Sequence, residues 1–110
     1  MIDKLQQFFR QNSRLLVLTG AGISTASGIP DYRDEKGAWK RQQPMTFAEF
    51  TGSHRARQRY WARSALGWPR FDHAQPNEAH QALAKLECFG FIETLITQNV
   101  DRLHHLEDRR

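Results

Sequence analysis

The stretch from Leu15 to Arg33, LLVLTGAGISTASGIPDYR, decides the fold. Leu15 to Thr19 carry four aliphatics in five residues before Gly20 stops the run, the pattern of a strand buried on both faces of a parallel sheet. Gly20 and Gly22 let the backbone approach a partner closely. A helix over Ile23 to Ser27 would turn its unpaired N–H groups and dipole toward a phosphate, so a diphosphate-bearing guest is expected. The G-x-G-x-x-G fingerprint wants a third glycine where this chain has Thr25, and an acidic residue closing a second strand about 20 residues on. Here Gly28-Ile29-Pro30 runs into polar, strandless sequence. The match to an ordinary dinucleotide turn is partial, and on this stretch alone a plain tight turn stays open.

The 110 residues are enough for one small domain. Sixteen Lys and Arg against twelve Asp and Glu give a net charge of +4, a mild excess compatible with an acidic ligand or nucleic acid. The single cysteine, Cys88, lies in a helical pattern with Leu83, Leu86 and Phe89 and is expected to pack as a small apolar residue. No disulfide or cysteine-based metal site can form within one chain. No stretch resembles a signal peptide or approaches the roughly 18 apolar residues of a membrane span, so a cytoplasmic protein without membrane attachment is expected.

Ile2, Leu5, Phe8 and Phe9 recur at helical spacing, predicting an amphipathic helix over Ile2 to Gln11 that feeds the first strand. Asp34 to Pro44 reads as a long loop of the kind that forms lids, with Trp39 as an apolar anchor. Thr46-Phe47-Ala48-Glu49 has capping-box form, Phe47 and Phe50 would face a core, and Ser53 can cap a second helix. From His54 to Trp68 that helix interleaves Arg55, Arg57, Arg59 and Arg63 with Tyr60, Trp61, Leu66 and Trp68. Phosphate contacts and base stacking are one use of such a surface; inward aromatics with solvated arginines are the favoured reading, and nucleic acid is not the expected partner. Gly67 to Gln75 reads as a turn-rich connection.

Asn77 is a good N-cap for a helix whose face carries Ala79, Leu83 and Leu86 and which Gly90 closes. His73 and His80 read as structural histidines. Phe91 to Thr97 gives a second strand, so strand and helix alternate as in a parallel α/β sheet. Both strands end in polar or glycine-rich sequence, and in open parallel sheets ligands sit at those carboxyl ends. Asn99 can donate and accept, and Asp101 can accept from hydroxyls, although Asp101 suits equally well as a cap for a helix through Leu103 and Leu106.

GAGIS, GIPDYR and TQNVD, in this order and separation, resemble the three N-terminal motifs of the sirtuins, the NAD-dependent protein deacylases. RQRYWARSALGWPRF followed by QPNEAH is most similar to the class II subclass, which includes the mitochondrial lipoamidase and ADP-ribosyltransferase type and its bacterial relatives. The resemblance implies a Rossmann-like parallel sheet with flanking helices, incomplete in this chain, plus part of a helical small-domain insertion. It divides the chain into a first strand and NAD loop (1–33), a cofactor loop and helical insertion (34–75), and a helix, strand and TQNVD motif (76–110).

Carried over by motif, the resemblance implies that Gly20, Ala21, Gly22 and Ser24 line the NAD diphosphate and ribose. Asp31, Tyr32 and Arg33 form the cofactor loop, and Gln98, Asn99 and Asp101 hold the nicotinamide ribose and carboxamide. Tyr60 and Arg63 are candidates for an acyl-substrate pocket. The implied reaction uses the acyl oxygen of an acyl-lysine protein to displace nicotinamide, with a histidine base activating a ribose hydroxyl, and yields free lysine and O-acyl-ADP-ribose. Family members continue after TQNVDxLH to that histidine and to a cysteine zinc site. No residue here matches the histidine, since His104 and His105 stand too close to Asp101. The resemblance therefore implies a fragment or truncated product, inactive alone, with a catalytic histidine expected beyond Arg110 and no metal ligands of its own. A non-catalytic NAD-binding remnant and a basic nucleic-acid binder are the alternatives.

Overall fold

The structure is a computed structural model that describes residues 1–33, 35–40 and 43–108. Helix α1, Ile2–Gln11, leads into β1, Leu15–Thr19, both with the bounds read from periodicity. A 3-10 turn, Ala21–Ser27, follows where an α-helix from Ile23 was expected. Gly28 ends it at φ 89°, with its N–H bonded to Thr25 O; only glycine takes this left-handed geometry without strain. Part of the expected Asp34–Pro44 loop, residues 34, 41 and 42, lies outside the described residues. Helices α2 (Phe47–Gly52), α3 (His54–His73) and α4 (Glu78–Cys88) then lead to β2 (Ile92–Thr97) and α5 (Leu103–Asp108).

The caps explain where these helices start. Thr46 Oγ1 accepts from Glu49 N–H at 3.2 Å, and Ser53 Oγ from Ala56 N–H at 3.2 Å. Asn77 does more: Oδ1 accepts from Ala79 N–H at 2.9 Å, and Nδ2 donates to Ile23 O at 2.8 Å and Ser27 Oγ at 2.9 Å. One side chain thus starts α4 and fixes the 3-10 turn against it.

β1 and β2 pair in parallel, Val17 opposite Leu95 and Thr19 opposite Thr97, with a register shift between Leu15 and Leu16. Arg14 forks onto Glu93 beside that shift. Period-2 alternation puts Leu16, Leu18 and Ile96 on one face, and all three are exposed. α4 packs against β2, but with Leu16, Leu18 and Ile96 exposed the expectation of a strand buried on both faces is corrected: among the described residues no layer covers that face.

Three further expectations change. α3 does not stop at Trp68 but runs through Gly67 and Pro69 to His73. Proline removes one ladder donor, yet the extra turn brings Phe71 and Ala74 onto Ile29 and Leu103, a buried apolar cluster. The large apolar residues read on α3 between Tyr60 and Trp68 do not pack inward: Tyr60, Trp61, Leu66 and Trp68 are exposed, as is Phe47, because this part of α3 lies against α2 rather than across a sheet. Cys88 is exposed as well, on the outer face of the last turn of α4.

The chain is extended. Its radius of gyration is 16.9 Å, against about 13 Å for a compact domain of this length, and it exposes 9027 Å², against roughly 6,300 Å² for a folded monomer of this mass. Packing is thin, so individual polar links matter. Asn77→Ala is expected to lower the melting temperature by about 5–10 °C, as losing a cap and two bonds costs about 1–2 kcal/mol in a domain this small. Circular dichroism melts check this, and an unchanged melt would show that the 3-10 turn is held some other way.

Candidate functional site

The carboxyl ends of β1 and β2 lie side by side, as parallel pairing requires. From β1 come Thr19, Gly20 and, one turn on, Ser24; from β2 come Thr97, Gln98, Asn99 and Asp101. Asn99 Nδ2 donates to Gly20 O at 2.8 Å and lies 3.5 Å from Ser24 Oγ. Ser24 Oγ donates to Asp101 Oδ2 at 2.5 Å, while Asp101 Oδ1 accepts from Leu103 N–H at 3.0 Å. Ser24 is fully buried and Asp101 is 4% exposed. Asp101 therefore takes the capping role, one oxygen starting α5, while its other oxygen is held by the Ser24 hydroxyl beside the glycine turn.

The sequence reading missed the layer beneath. Thr19 Oγ1 donates to Thr97 Oγ1 at 2.9 Å and lies 2.8 Å from His104 Nε2. With the Thr19 proton so used, His104 Nε2 is the donor in that contact. Asn99 N–H also bonds Thr97 Oγ1, at 3.1 Å. The rings of His104 and His80 meet edge to face at 4.9 Å, and His80 Nδ1 accepts from Asn77 N–H at 3.1 Å. The proton of neutral His80 then sits on Nε2, which is buried without a hydrogen-bond partner among the described residues. The sequence reading of His80 as structural fits its capping bond but not this orphaned nitrogen. A histidine three residues after an N-cap, and a histidine directly after Leu103 inside the capped turn, were the available signals.

Burial pushes the pKa of His80 down, helped by the neighbouring His104 and opposed by Asp101 and Glu107. Neutral His80 belongs to the folded state.

The remaining sequence-predicted residues stand apart. Asp31 pairs with Lys40 Nζ at 2.6 Å. The Arg33 guanidinium lies over the Trp39 ring at 3.9 Å, and Nη1 donates to Gly37 O at 3.2 Å. Trp39 is thus an anchor, but for Arg33 rather than for a core. Tyr32 is exposed. Tyr60 and Arg63 lie one turn apart on α3, and Tyr60 packs edge-on against Phe50 and Trp61; no hydrogen bond or ion pair among the described residues joins them to the strand ends. Chain neighbours aside, a Cβ at Gly22 would meet no atom of the described residues within 4 Å and one at Gly20 only Gln98 Oε1 at 3.8 Å, so the open side of the turn is unfilled among the described residues. A cavity of about 190 Å³ adjoins, lined by Thr97, Asn99 to Leu103, His104 and His105.

Arg102 connects this site to α3. Its φ of 65° is the only positive value at a non-glycine residue among the described residues and costs an L-residue about 1–2 kcal/mol. Its Nη2 lies 3.5 Å from Asp72 Oδ1, both side chains about half exposed, and its guanidinium sits 5.3 Å from the Trp68 ring. Such contacts contribute about 0–1 kcal/mol each, comparable to the strain they accompany.

Two parallel strands flanked by helices, with a glycine turn and a hydrogen-bonded Ser24–Asp101–Asn99 cluster at their adjoining carboxyl ends, place the chain in the Rossmann-like α/β class. The chain belongs to the Sir2 family, whose model matches residues 20–107. It is 65% identical over 100 residues to an NAD-dependent protein deacetylase of Xanthomonas axonopodis pv. citri, covering 91% of this chain and 34% of the relative. To an NAD-dependent protein deacylase of Arabidopsis thaliana it is 61% identical over 105 residues, 94% of this chain and 28% of that one. The chain thus spans about a third of the length of these relatives. Among solved structures, a Sir2 homologue in complex with ADP-ribose superposes with a TM-score of 0.79 at 38% identity, covering 100% of this chain and 44% of that one. A Sir2, peptide and NAD+ structure gives 0.79 at 37%, with coverage of 98% and 42%.

The lowered pKa of His80 fixes a pH dependence. The unfolded chain, with the ordinary histidine value near 6.5, binds a proton that the folded state resists, so stability is complete above that value and is lost as pH falls through and below it. Melting temperature is expected to drop between pH 7.5 and pH 5.5, and His80→Gln, which keeps an acceptor for Asn77 N–H, should flatten the slope. An unchanged slope in the variant would assign the titration to another group.

Proposed function

We propose that this chain is the NAD-binding part of a Sir2-type protein lysine deacylase. The observation that carries the proposal is the hydrogen-bonded set of buried Ser24 and Asp101 with half-buried Asn99, poised beside a glycine turn whose open side is unfilled among the described residues. Gly20 and Gly22 would admit the diphosphate with Ala21 between them. Ser24, Asn99 and Asp101 would orient the ribose nearest the nicotinamide, Gln98 would border it, and Asp31, Tyr32 and Arg33 would close over the cofactor. Bound NAD supplies a ribose–nicotinamide bond that an acyl oxygen can break. What the chain contributes is position: buried polar groups that are already paired hold their geometry when a ligand arrives. The relatives named for deacetylation and the peptide-bound neighbours support acylated lysine proteins as partners.

Tyr60 and Arg63 form the proposed acyl-recognition pair, since i and i+3 share a helix face and the Arg63 side chain is exposed. The subclass reading, with the mitochondrial lipoamidase type, rests on the α3 sequence, and zinc in the whole protein would need cysteines besides Cys88. Among the described residues no helix is long and apolar enough to cross a membrane, and a cytoplasmic location completes the reading.

Because the chain spans about a third of its relatives, binding is the primary readout. Calorimetric titration of ADP-ribose into the chain should give a saturable isotherm that Ser24→Ala weakens about tenfold and Asn99→Ala at least as much, the loss of one or two oriented bonds at about 1.5–3 kcal/mol each when the partner is charged. Binding untouched by both substitutions would place the ligand elsewhere. In an active enzyme, Arg63→Gln is expected to raise KM for acidic acyl-lysine peptides about tenfold while changing KM for NAD little; equal loss across acyl groups would remove Arg63 from acyl recognition.

A further inference from the structure

We infer that Arg102 is a positioning residue that couples α3 to the Asp101 carboxylate, so that the orientation of the helical insertion becomes a condition for ligand binding at the strand ends. For its ligand this inference rests on the function proposed above.

Three observations meet at one residue. The backbone of Arg102 is left-handed, at φ 65°, a conformation that glycine or asparagine adopts more readily. Its side chain crosses to α3 and lies against Trp68 and Asp72, which are four apart and share a helix face. Its chain neighbours are the two most constrained residues of the site: Asp101, bonded through both oxygens to Ser24 and Leu103, and Leu103, fully buried against Ile29, Ala74 and Phe71. Arg102 O also accepts Leu106 N–H at 3.0 Å, closing the first turn of α5.

The turn itself asks for a small residue, whereas a long cation is what reaches α3. Rotation of α3 would pull on the guanidinium, twist the peptide between Asp101 and Leu103, and move the Leu103 N–H away from Asp101 Oδ1. The other oxygen of that carboxylate holds Ser24 Oγ, so the displacement reaches the glycine turn without passing through any loop. This gives the coupling a physical element that both sites bias, the Asp101–Arg102–Leu103 turn.

Hydrogen exchange at Leu103, thermal melts and ADP-ribose calorimetry on the chain and on Arg102→Gly, Arg102→Lys and Trp68→Leu test the inference. Glycine relieves the backbone, so a purely conformational role predicts a variant that melts no lower and binds no worse than the parent. Coupling predicts the same undiminished melting temperature for Arg102→Gly but faster Leu103 exchange and ADP-ribose binding weakened about threefold to tenfold. Arg102→Lys should stay within about twofold of the parent because the cation survives, and Trp68→Leu should reproduce the loss from the far side. Parent-like exchange and affinity in Arg102→Gly would overturn the inference. If that variant fails to fold, Arg102→Lys and Trp68→Leu decide it: equal behaviour of the two overturns it. If the parent chain does not bind ADP-ribose, the nucleotide-binding reading falls, and the Leu103 exchange comparison still judges Arg102.

Discussion

The Asp101 carboxylate is the constraint on which the rest depends. A buried carboxylate is costly unless its oxygens find donors, and here the donors come from opposite ends of the fold: Ser24, 77 residues earlier, and Leu103, two residues later. Asn99 makes the parallel link to Gly20. Together they tie the first strand's exit to the second strand's exit at the one place where the sheet's two strands could otherwise splay. A two-stranded sheet is marginal by itself, and in this chain its polar end is better fastened than its apolar middle.

The core reflects that balance. Among the described residues five apolar ones are buried, Ile29, Ala56, Ala74, Ile92 and Leu103, and so are five polar ones, Thr19, Ser24, His80, Asp101 and His104. Every polar member but His80 lies at the strand exits or in the turns that leave them, and His80 touches them through His104. The candidate site is therefore not a cleft grafted onto a finished scaffold but a large share of what is packed at all. Apart from the orphaned His80 Nε2, these polar groups are paired, and paired polar networks fix one arrangement where apolar contacts would tolerate several.

What was legible in the sequence was local. Ser53 and Asn77 announce α3 and α4 because a cap needs only its own next three residues, and Leu15–Thr19 reads as a strand because its run is apolar and abruptly ended. Gly20, Asn99 and Asp101 could be picked out because they stand where apolar strands end abruptly in glycine or polar sequence, whereas Ser24 was picked out only because its motif resembles a known family. The failures are non-local. Pro69 signals a break, but burial of Phe71 and Ala74 against Ile29 and Leu103 outweighs one lost donor. The aromatic spacing of α3 signals a core that Trp61 and Leu66 do not enter, since no sheet lies beneath them. Thr19, Thr97 and His104 looked like ordinary strand and helix ends, because a hydrogen-bond relay across 85 residues leaves no mark in either segment.

The candidate cofactor residues fall into two mechanical classes. Ser24, Asn99 and Asp101 are paired with one another inside the fold and are already oriented. Asp31 and Arg33 are paired within their own loop, to Lys40 and Trp39, by contacts open to solvent on at least one side that contribute about 0–1 kcal/mol each. A charge-assisted bond from arginine to a phosphate is stronger than either. A diphosphate arriving at the glycine turn could therefore take Arg33 from Trp39 at small cost, whereas taking Ser24 from Asp101 would strand a buried carboxylate oxygen. The rigid class is suited to holding the ribose still, and the loosely paired class to changing partners as the ligand enters.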